Sequence, residues 1–123
     1  MNTGIVIFGH GSSVPSANAA VARVALEAAQ AGGFALCETA FLEVAPTLRD
    51  AVSKLAGQGA TEILVIPYFL TLGIHLQRDL PRIVEELSHE FGGMPVRVTP
   101  PLDGHPALSR IIIDRAHEAF VNR

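Results

Sequence analysis

His10, Glu43 and His75 are of types that hold metal ions or move protons near neutral pH, and each stands just beyond an apolar run. His10 sits in Gly9-His10-Gly11-Ser12-Ser13, directly after Ile5-Val6-Ile7-Phe8. Its flanking glycines free the backbone to turn sharply and carry the imidazole to the end of a strand. The same Gly-x-Gly pattern also suits a phosphate at a helix start, with Ser12 or Ser13 capping the helix. Glu43 follows Ala40-Phe41-Leu42. A carboxylate there serves as a proton acceptor, or simply as favourable charge at a helix N-terminus. His75 is expected in a connection from Tyr68 to Arg78, about ten residues and longer than most strand-to-helix loops, which marks it as functional or as a solvated loop histidine.

Imidazole suits cobalt, nickel, iron and zinc, and a site with few ligands holds a metal openly enough to pass it on. Neutral imidazole also accepts a proton near pH 7, as does a carboxylate. Spacing alone separates none of these roles. The short His and Cys spacings of a closed zinc site are missing, and Cys37 is the one cysteine. His105 precedes Pro106 and reads as the polar residue ahead of a helix start. His89 and His117 fall within helical stretches and carry no chemical expectation.

Residues so far apart in sequence converge only if a fold brings them to one edge. Four apolar runs begin near Gly4, Phe34, Glu62 and Pro95, roughly thirty residues apart, the length of a strand plus a crossover helix. The first and third are continuous and β-branched, as parallel strands covered on both faces are. The second breaks at Glu38-Thr39, and the fourth alternates at Val96-Arg97-Val98, as an edge strand does. Between them, apolar residues three and four apart predict helices over Ala17 to Gln30, Thr47 to Ala56, Leu80 to Phe91 and Leu108 to Phe120. Gly32-Gly33, Gly57 through Gly59 and Gly92-Gly93 mark helix ends, and Pro46, Pro81 and Pro106 mark first turns. Asp79 is the expected N-cap for Pro81. The order βαβαβαβα predicts one α/β domain over residues 1–123, a four-stranded parallel sheet with helices on both faces and strand order 2-1-3-4. Ligands then bind at the carboxyl ends of the strands, where His10, Glu43, His75 and His105 all fall.

Composition narrows the partners. At 123 residues, 49% hydrophobic and 17% charged, the chain is expected to form one compact domain. For 13.0 kDa a folded monomer exposes about 6,300 Å², leaving roughly two-thirds of the extended chain's surface buried. A net charge of −3 with nine scattered Lys and Arg argues against nucleic acid, and the longest apolar runs are too short to span a membrane. One cysteine and no signal-peptide pattern point to a reducing cytoplasm. A dinucleotide site would want a third glycine where Val14 stands, and an acid about 20 residues on rather than about 34. The Gly-x-Ser-x-Gly of a serine hydrolase is missing as well.

Gly9-His10-Gly11-Ser12, Phe41-Leu42-Glu43 with Pro46, and Pro67-Tyr68-Phe69-Leu70 through Gly73, His75 and Asp79-Leu80-Pro81 resemble the short-form class II tetrapyrrole chelatases. These are the CbiX-type sirohydrochlorin cobalto- and ferrochelatases. The resemblance extends to Pro101-Leu102 and His105-Pro106 and spans nearly the whole chain, the third-loop pattern being its specific part. It implies a flavodoxin-like half module, a homodimer in place of the two modules of larger relatives, and insertion of Co²⁺, Fe²⁺ or Ni²⁺ into sirohydrochlorin without a prosthetic group. By resemblance, His10 and His75 bind the metal substrate and Glu43 takes or relays protons.

Ser12, Ser13, Arg49, Phe69, Leu70 and Arg78 are the candidate substrate contacts. Many relatives carry Arg where Ser13 stands, and Arg78 and Arg49 are the cations available to replace it. Phe69 and Leu70, with Leu72, Ile74 and Leu76, offer a wall against which a macrocycle can bend, or equally the end of the core strand. Two readings of other classes stand beside this one: a non-catalytic module that stores or delivers metal or tetrapyrrole, and a nucleotide-dependent enzyme on the same fold.

Overall fold

The computed structural model describes residues 2–122. Its elements run β1 (Thr3–Gly9), α1 (Pro15–Gly32), β2 (Leu36–Phe41), α2 (Leu48–Gly57), β3 (Glu62–Pro67), α3 (Ile74–Glu90), β4 (Val96–Val98) and α4 (Ala107–Val121). All strands are parallel in the order β2-β1-β3-β4. The βαβα expectation and the strand order therefore hold, with the continuous apolar runs at the centre and the weaker ones at the edges. β2 does not break at Glu38-Thr39. An edge strand accommodates the carboxylate, and Glu38 pairs with Lys54 of α2 at 2.9 Å.

The main core lies on one face of the sheet. Val6, Phe8, Ile63 and Val65 pack there against Leu48, Val52 and Leu55 of α2 and Leu80, Val84 and Leu87 of α3. Burying this aliphatic set is the main force holding α2 and α3 to the strands, at about 1.5–3 kcal/mol for each large side chain fully withdrawn from water. The opposite face has a smaller cluster, Ile5, Ile7 and Ala25, flanked by Val21, Cys37, Leu64, Ile66 and Tyr68. Burial there, with a smaller contribution from Glu38, pushes the Cys37 thiol up and keeps it protonated near neutral pH.

Three helix starts differ from expectation. α3 begins at Ile74 behind Gly73, so Asp79 is its sixth residue rather than its N-cap, and Pro81 lies in its interior. The helix tolerates Pro81 because Leu80, Val84 and Leu87 on one face are buried, and that packing outweighs one lost N–H bond at Gln77. Pro46 precedes α2 in a cis peptide with Ala45, and Thr47 is the N-cap. The Thr47 hydroxyl accepts from the Asp50 amide while the Asp50 carboxylate accepts from the Thr47 amide, a reciprocal box. Neither Ser12 nor Ser13 caps α1, which follows Val14 with Pro15 in its first turn. The Ser12 hydroxyl accepts from the Val14 amide, and Asn18 brackets the Ser12 backbone with two hydrogen bonds.

The accessible surface is 7852 Å², above the expected figure of about 6,300 Å², so about three-fifths rather than two-thirds of the extended surface is buried. α4 has no buried residue. No helix among the described residues is long and apolar enough to cross a membrane.

Candidate active site at the carboxyl edge

The pairing of β1 with its neighbours continues past the ends of the strands. The Leu42 amide donates to the Gly9 carbonyl at 2.9 Å and the Glu43 amide to the His10 carbonyl at 3.0 Å. On the other side the Tyr68 amide donates to the Phe8 carbonyl at 2.7 Å. These bonds hold the first three strand-to-helix loops in register, so His10, Glu43 and Phe69 emerge side by side. Gly11 makes the approach of the first two loops possible. Its φ is +89°, and a Cβ there would stand 2.9 Å from Val44 Cγ2 and 3.0 Å from Phe41 Cβ.

His10 Nε2 lies 3.5 Å from Glu43 Oε1, and Nδ1 lies 3.1 Å from the Gly11 carbonyl oxygen. A carbonyl only accepts, so Nδ1 carries the proton in that bond and Nε2 can present its lone pair to the cleft. Metal-binding histidines are commonly oriented in this way. The Phe69 ring stands edge-on to His10, with centroids 6.4 Å apart and planes at 81°, and is itself backed by Phe8 at 6.1 Å. His10 is thus braced by a backbone carbonyl and an aromatic wall, and its outer edge stays open.

His75 is in the first turn of α3 and not in a long loop, because the connection after β3 runs only from Tyr68 to Gly73. Gly73 offers no side-chain cap, so the first N–H groups of α3, at a helix start that lines the cleft, are left without a side-chain acceptor. The imidazole interacts with its own helix: Arg78 Nη2 lies 3.3 Å from His75 Nδ1, and Arg78 Nε lies 3.2 Å from Asp79 Oδ1. A guanidinium only donates, so Nδ1 is the acceptor and Nε2 holds the proton in this arrangement.

His10, Glu43, His75 and Phe69 line one cleft of ≈ 500 Å³, together with Leu42, Ile74, Leu76 and Asp79. Of the five apolar residues expected to offer a wall, Phe69, Ile74 and Leu76 line the cleft, and Leu70 and Leu72 do not. Asp79, read from sequence as a cap, is a further carboxylate in the cleft. No three His, Cys, Asp or Glu side chains among the described residues gather into a metal cage. The donors that line the cleft are two imidazoles and two carboxylates spread along it, which suits an ion in transit better than a permanently held one.

The remaining candidates are placed elsewhere. Leu70 is exposed and its carbonyl accepts from the Asp103 amide, while Ser12 and Ser13 lie in the α1 approach outside the cleft lining. Arg78 does not line the cleft itself but contacts two residues that do, His75 and Asp79. Arg49 does not line it: its guanidinium is paired with Glu90 at the end of α3 and lies over the Phe91 ring. The ion pair with Glu90 raises the affinity of Arg49 for its proton and engages its donors. His105 Nδ1 accepts from the Ala107 amide at 3.0 Å, which makes it the capping group of α4.

Comparison with known proteins agrees with this fold. The chain is 32% identical over 138 residues to a sirohydrochlorin cobaltochelatase from Methanopyrus kandleri, covering 94% of this chain and 96% of that one. It is 33% identical over 113 residues to a chloroplastic sirohydrochlorin ferrochelatase from Arabidopsis thaliana, covering 91% of this chain but half of that protein. Among solved structures, a CbiX protein of cobalamin (vitamin B12) biosynthesis from Marinobacter aquaeolei VT8 superposes with a TM-score of 0.85 at 29% identity, covering 98% of this chain and 99% of that one. The sirohydrochlorin chelatase SirB of Bacillus subtilis subspecies spizizenii, in complex with cobalt, superposes with a TM-score of 0.70 at 28% identity, over 83% of this chain and 44% of that one. Residues 4–119, from the first strand through most of α4, match the CbiX family, and the chain belongs to it.

Proposed function

We propose that the protein is a sirohydrochlorin chelatase, a lyase that inserts a divalent metal into the macrocycle. The observation that carries this reading is the cleft that places His10, Glu43 and His75 against the apolar wall of Phe69, Ile74 and Leu76. Insertion replaces two pyrrole N–H protons by one M²⁺, so a site must present the ion, accept two protons and bend the ring. His10 Nε2 and His75 deliver the metal. Glu43, 3.5 Å from His10 Nε2, takes the protons and releases them to the open edge of the cleft. Phe69, Ile74 and Leu76 press on the ring face, while the free N–H groups at the start of α3 meet its carboxylates.

Loading His75 with metal requires Arg78 to let go. Binding at Nδ1 displaces the guanidinium directly, and binding at Nε2 moves the proton to Nδ1, which then repels an N–H donor. The released Arg78 is the cation nearest the ring's acidic substituents, and it fills the place that Ser13 leaves without charge. Co²⁺ is the favoured substrate, with Fe²⁺ and Ni²⁺ as alternatives, since imidazole and carboxylate accept all three. The protein works as a cytoplasmic homodimer with no prosthetic group. Insertion by substoichiometric protein tests the reading: several metallated rings per chain support an enzyme, whereas one equivalent and no more supports a storage or delivery module.

A further inference from the structure

Asp79 lines the cleft yet has no part in the insertion chemistry described above. It does not cap α3, which starts at Ile74. A carboxylate at this place is also unfavourable for a substrate that itself carries carboxylates, because like charges brought together across a binding surface repel. Its presence in the lining therefore calls for a compensating role.

Arg78 supplies one. His75 and Asp79 stand four residues apart on α3 and so share one face of the helix, and Arg78 reaches both. Arg78 Nη2 lies 3.3 Å from His75 Nδ1, and Arg78 Nε lies 3.2 Å from Asp79 Oδ1. The N–H bonds of Nε and Nη2 form one edge of the planar guanidinium, and that edge is divided between the two residues. The two Nη groups together form the end-on fork, which matches the two oxygens of a carboxylate.

When His75 takes metal, Arg78 loses its Nη2 contact. Its side chain is 71% exposed and rich in rotamers, so without a second hold it would spread through the solvent beside the cleft. Asp79, about half as exposed at 36%, is that second hold. Other cations are poorly placed for the task. The cleft lining includes no Arg or Lys among the described residues, Arg82 is paired with Glu86 at 3.0 Å, and Arg49 is paired with Glu90.

We infer that Asp79 is a positioning residue: it pins Arg78 Nε at the rim of the cleft, so that both Nη groups meet a carboxylate of the ring once His75 has let go. It acts through Arg78 and touches neither the metal nor the ring. The inference deepens the chelatase reading and rests on it. Its sign sets it apart from simple electrostatics. Direct repulsion predicts that removing the Asp79 charge helps an anionic ring to bind, whereas loss of the anchor hinders it.

The test compares wild type, Asp79→Ala, Asp79→Asn, Arg78→Ala and Arg78→Ala/Asp79→Ala as full chains, matched by thermal melting followed by circular dichroism. KM for sirohydrochlorin and kcat are measured at saturating Co²⁺. Ring affinity without turnover is read by absorbance titration of metal-free sirohydrochlorin in a His75→Ala background, where Arg78 is already released from the imidazole. Asp79→Ala should raise both KM and the ring Kd by about three- to tenfold, with kcat and Co²⁺ affinity changed by less than about twofold. Asp79→Asn keeps an oxygen acceptor for Nε and should recover most of that loss. With Arg78→Ala already present, Asp79→Ala should leave ring affinity unchanged or tighten it. The inference is overturned if Asp79→Ala alone leaves ring binding unchanged or tightens it, if it weakens ring binding equally with and without Arg78, or if its main effect is weaker Co²⁺ binding. A protein that binds the ring without metallating it overturns the chelatase reading alone, since the titration still decides the role of Asp79. A protein that binds no sirohydrochlorin overturns both.

Discussion

His10 Nε2 and Glu43 Oε1 are 3.5 Å apart, and the backbone enforces this proximity because the Glu43 amide donates to the His10 carbonyl. The imidazole proposed as metal ligand and the carboxylate proposed as proton acceptor are thereby held side by side just beyond adjacent strands. Glu43→Gln preserves shape while removing the base. Its rate of metal insertion should fall by about 10²–10⁴-fold, the usual worth of a positioned proton acceptor, with metal affinity changed far less. Parallel measurements of insertion rate and metal binding by titration check this split, and equal losses in both would assign Glu43 to the metal instead.

Arg78 donates to His75 Nδ1 at 3.3 Å, and the proposed loading of His75 with metal requires its release. Arg78→Ala should bind Co²⁺ as tightly as the wild type or up to about fivefold more tightly, since one exposed hydrogen bond contributes about 1 kcal/mol or less. The same variant should show a raised KM for the carboxylated ring. Weaker metal binding in Arg78→Ala would contradict the release step.

Gly11 is fixed by conformation and by space. Gly11→Ala places a Cβ against Val44 and Phe41 at a φ of +89°, and should destabilise the fold by about 1–2 kcal/mol while pushing the His10 and Glu43 loops apart. Denaturation and insertion assays should both register the change. A fully active, equally stable variant would show that the close approach of the loops is dispensable.

The Asp50 carboxyl is held below its ordinary range by the Thr47 backbone N–H and then by the Thr47 hydroxyl. A depressed folded-state value means stability that is present above the unfolded carboxyl value near 3.9 and lost as pH falls through the folded one. Asp50→Asn should therefore be less stable than the wild type at neutral pH, with the gap closing as the solution is acidified below about pH 4. Thr47→Ala should cost about 1 kcal/mol at neutral pH through loss of the cap. Denaturant midpoints across the pH range measure both, and a gap that widens in acid would reverse the assignment.

The fold was legible because β1 and β3 announce buried parallel strands by continuous β-branched runs, and the glycine-marked helix ends fix the period. His10 and Glu43 were placed at the right edge for the same reason: each directly follows a strand. The sequence around His75 reads as a loop because Asp79 and Pro81 imitate a helix start. The real start, Gly73, has no capping side chain and leaves no local mark, and the burial of Leu80, Val84 and Leu87 that carries the helix through Pro81 is a tertiary effect. Arg49 shows the same limit. Its distance from the cleft follows from Glu90 and Phe91, some forty residues on, a pairing that local sequence does not encode. Asp79 carries no local mark of a cleft residue, because an Asp two residues before Pro81 reads equally as an N-cap.

On the proposed mechanism, His10 and His75 together present the metal to the ring. The most direct measurement is an anaerobic absorbance time course of Co²⁺ insertion into sirohydrochlorin by wild type, His10→Ala and His75→Ala, each corrected for spontaneous insertion and matched by far-ultraviolet circular dichroism. Multiple turnovers by the wild type and a fall to the spontaneous rate in both folded variants are the expected result. Full activity in both variants would contradict it.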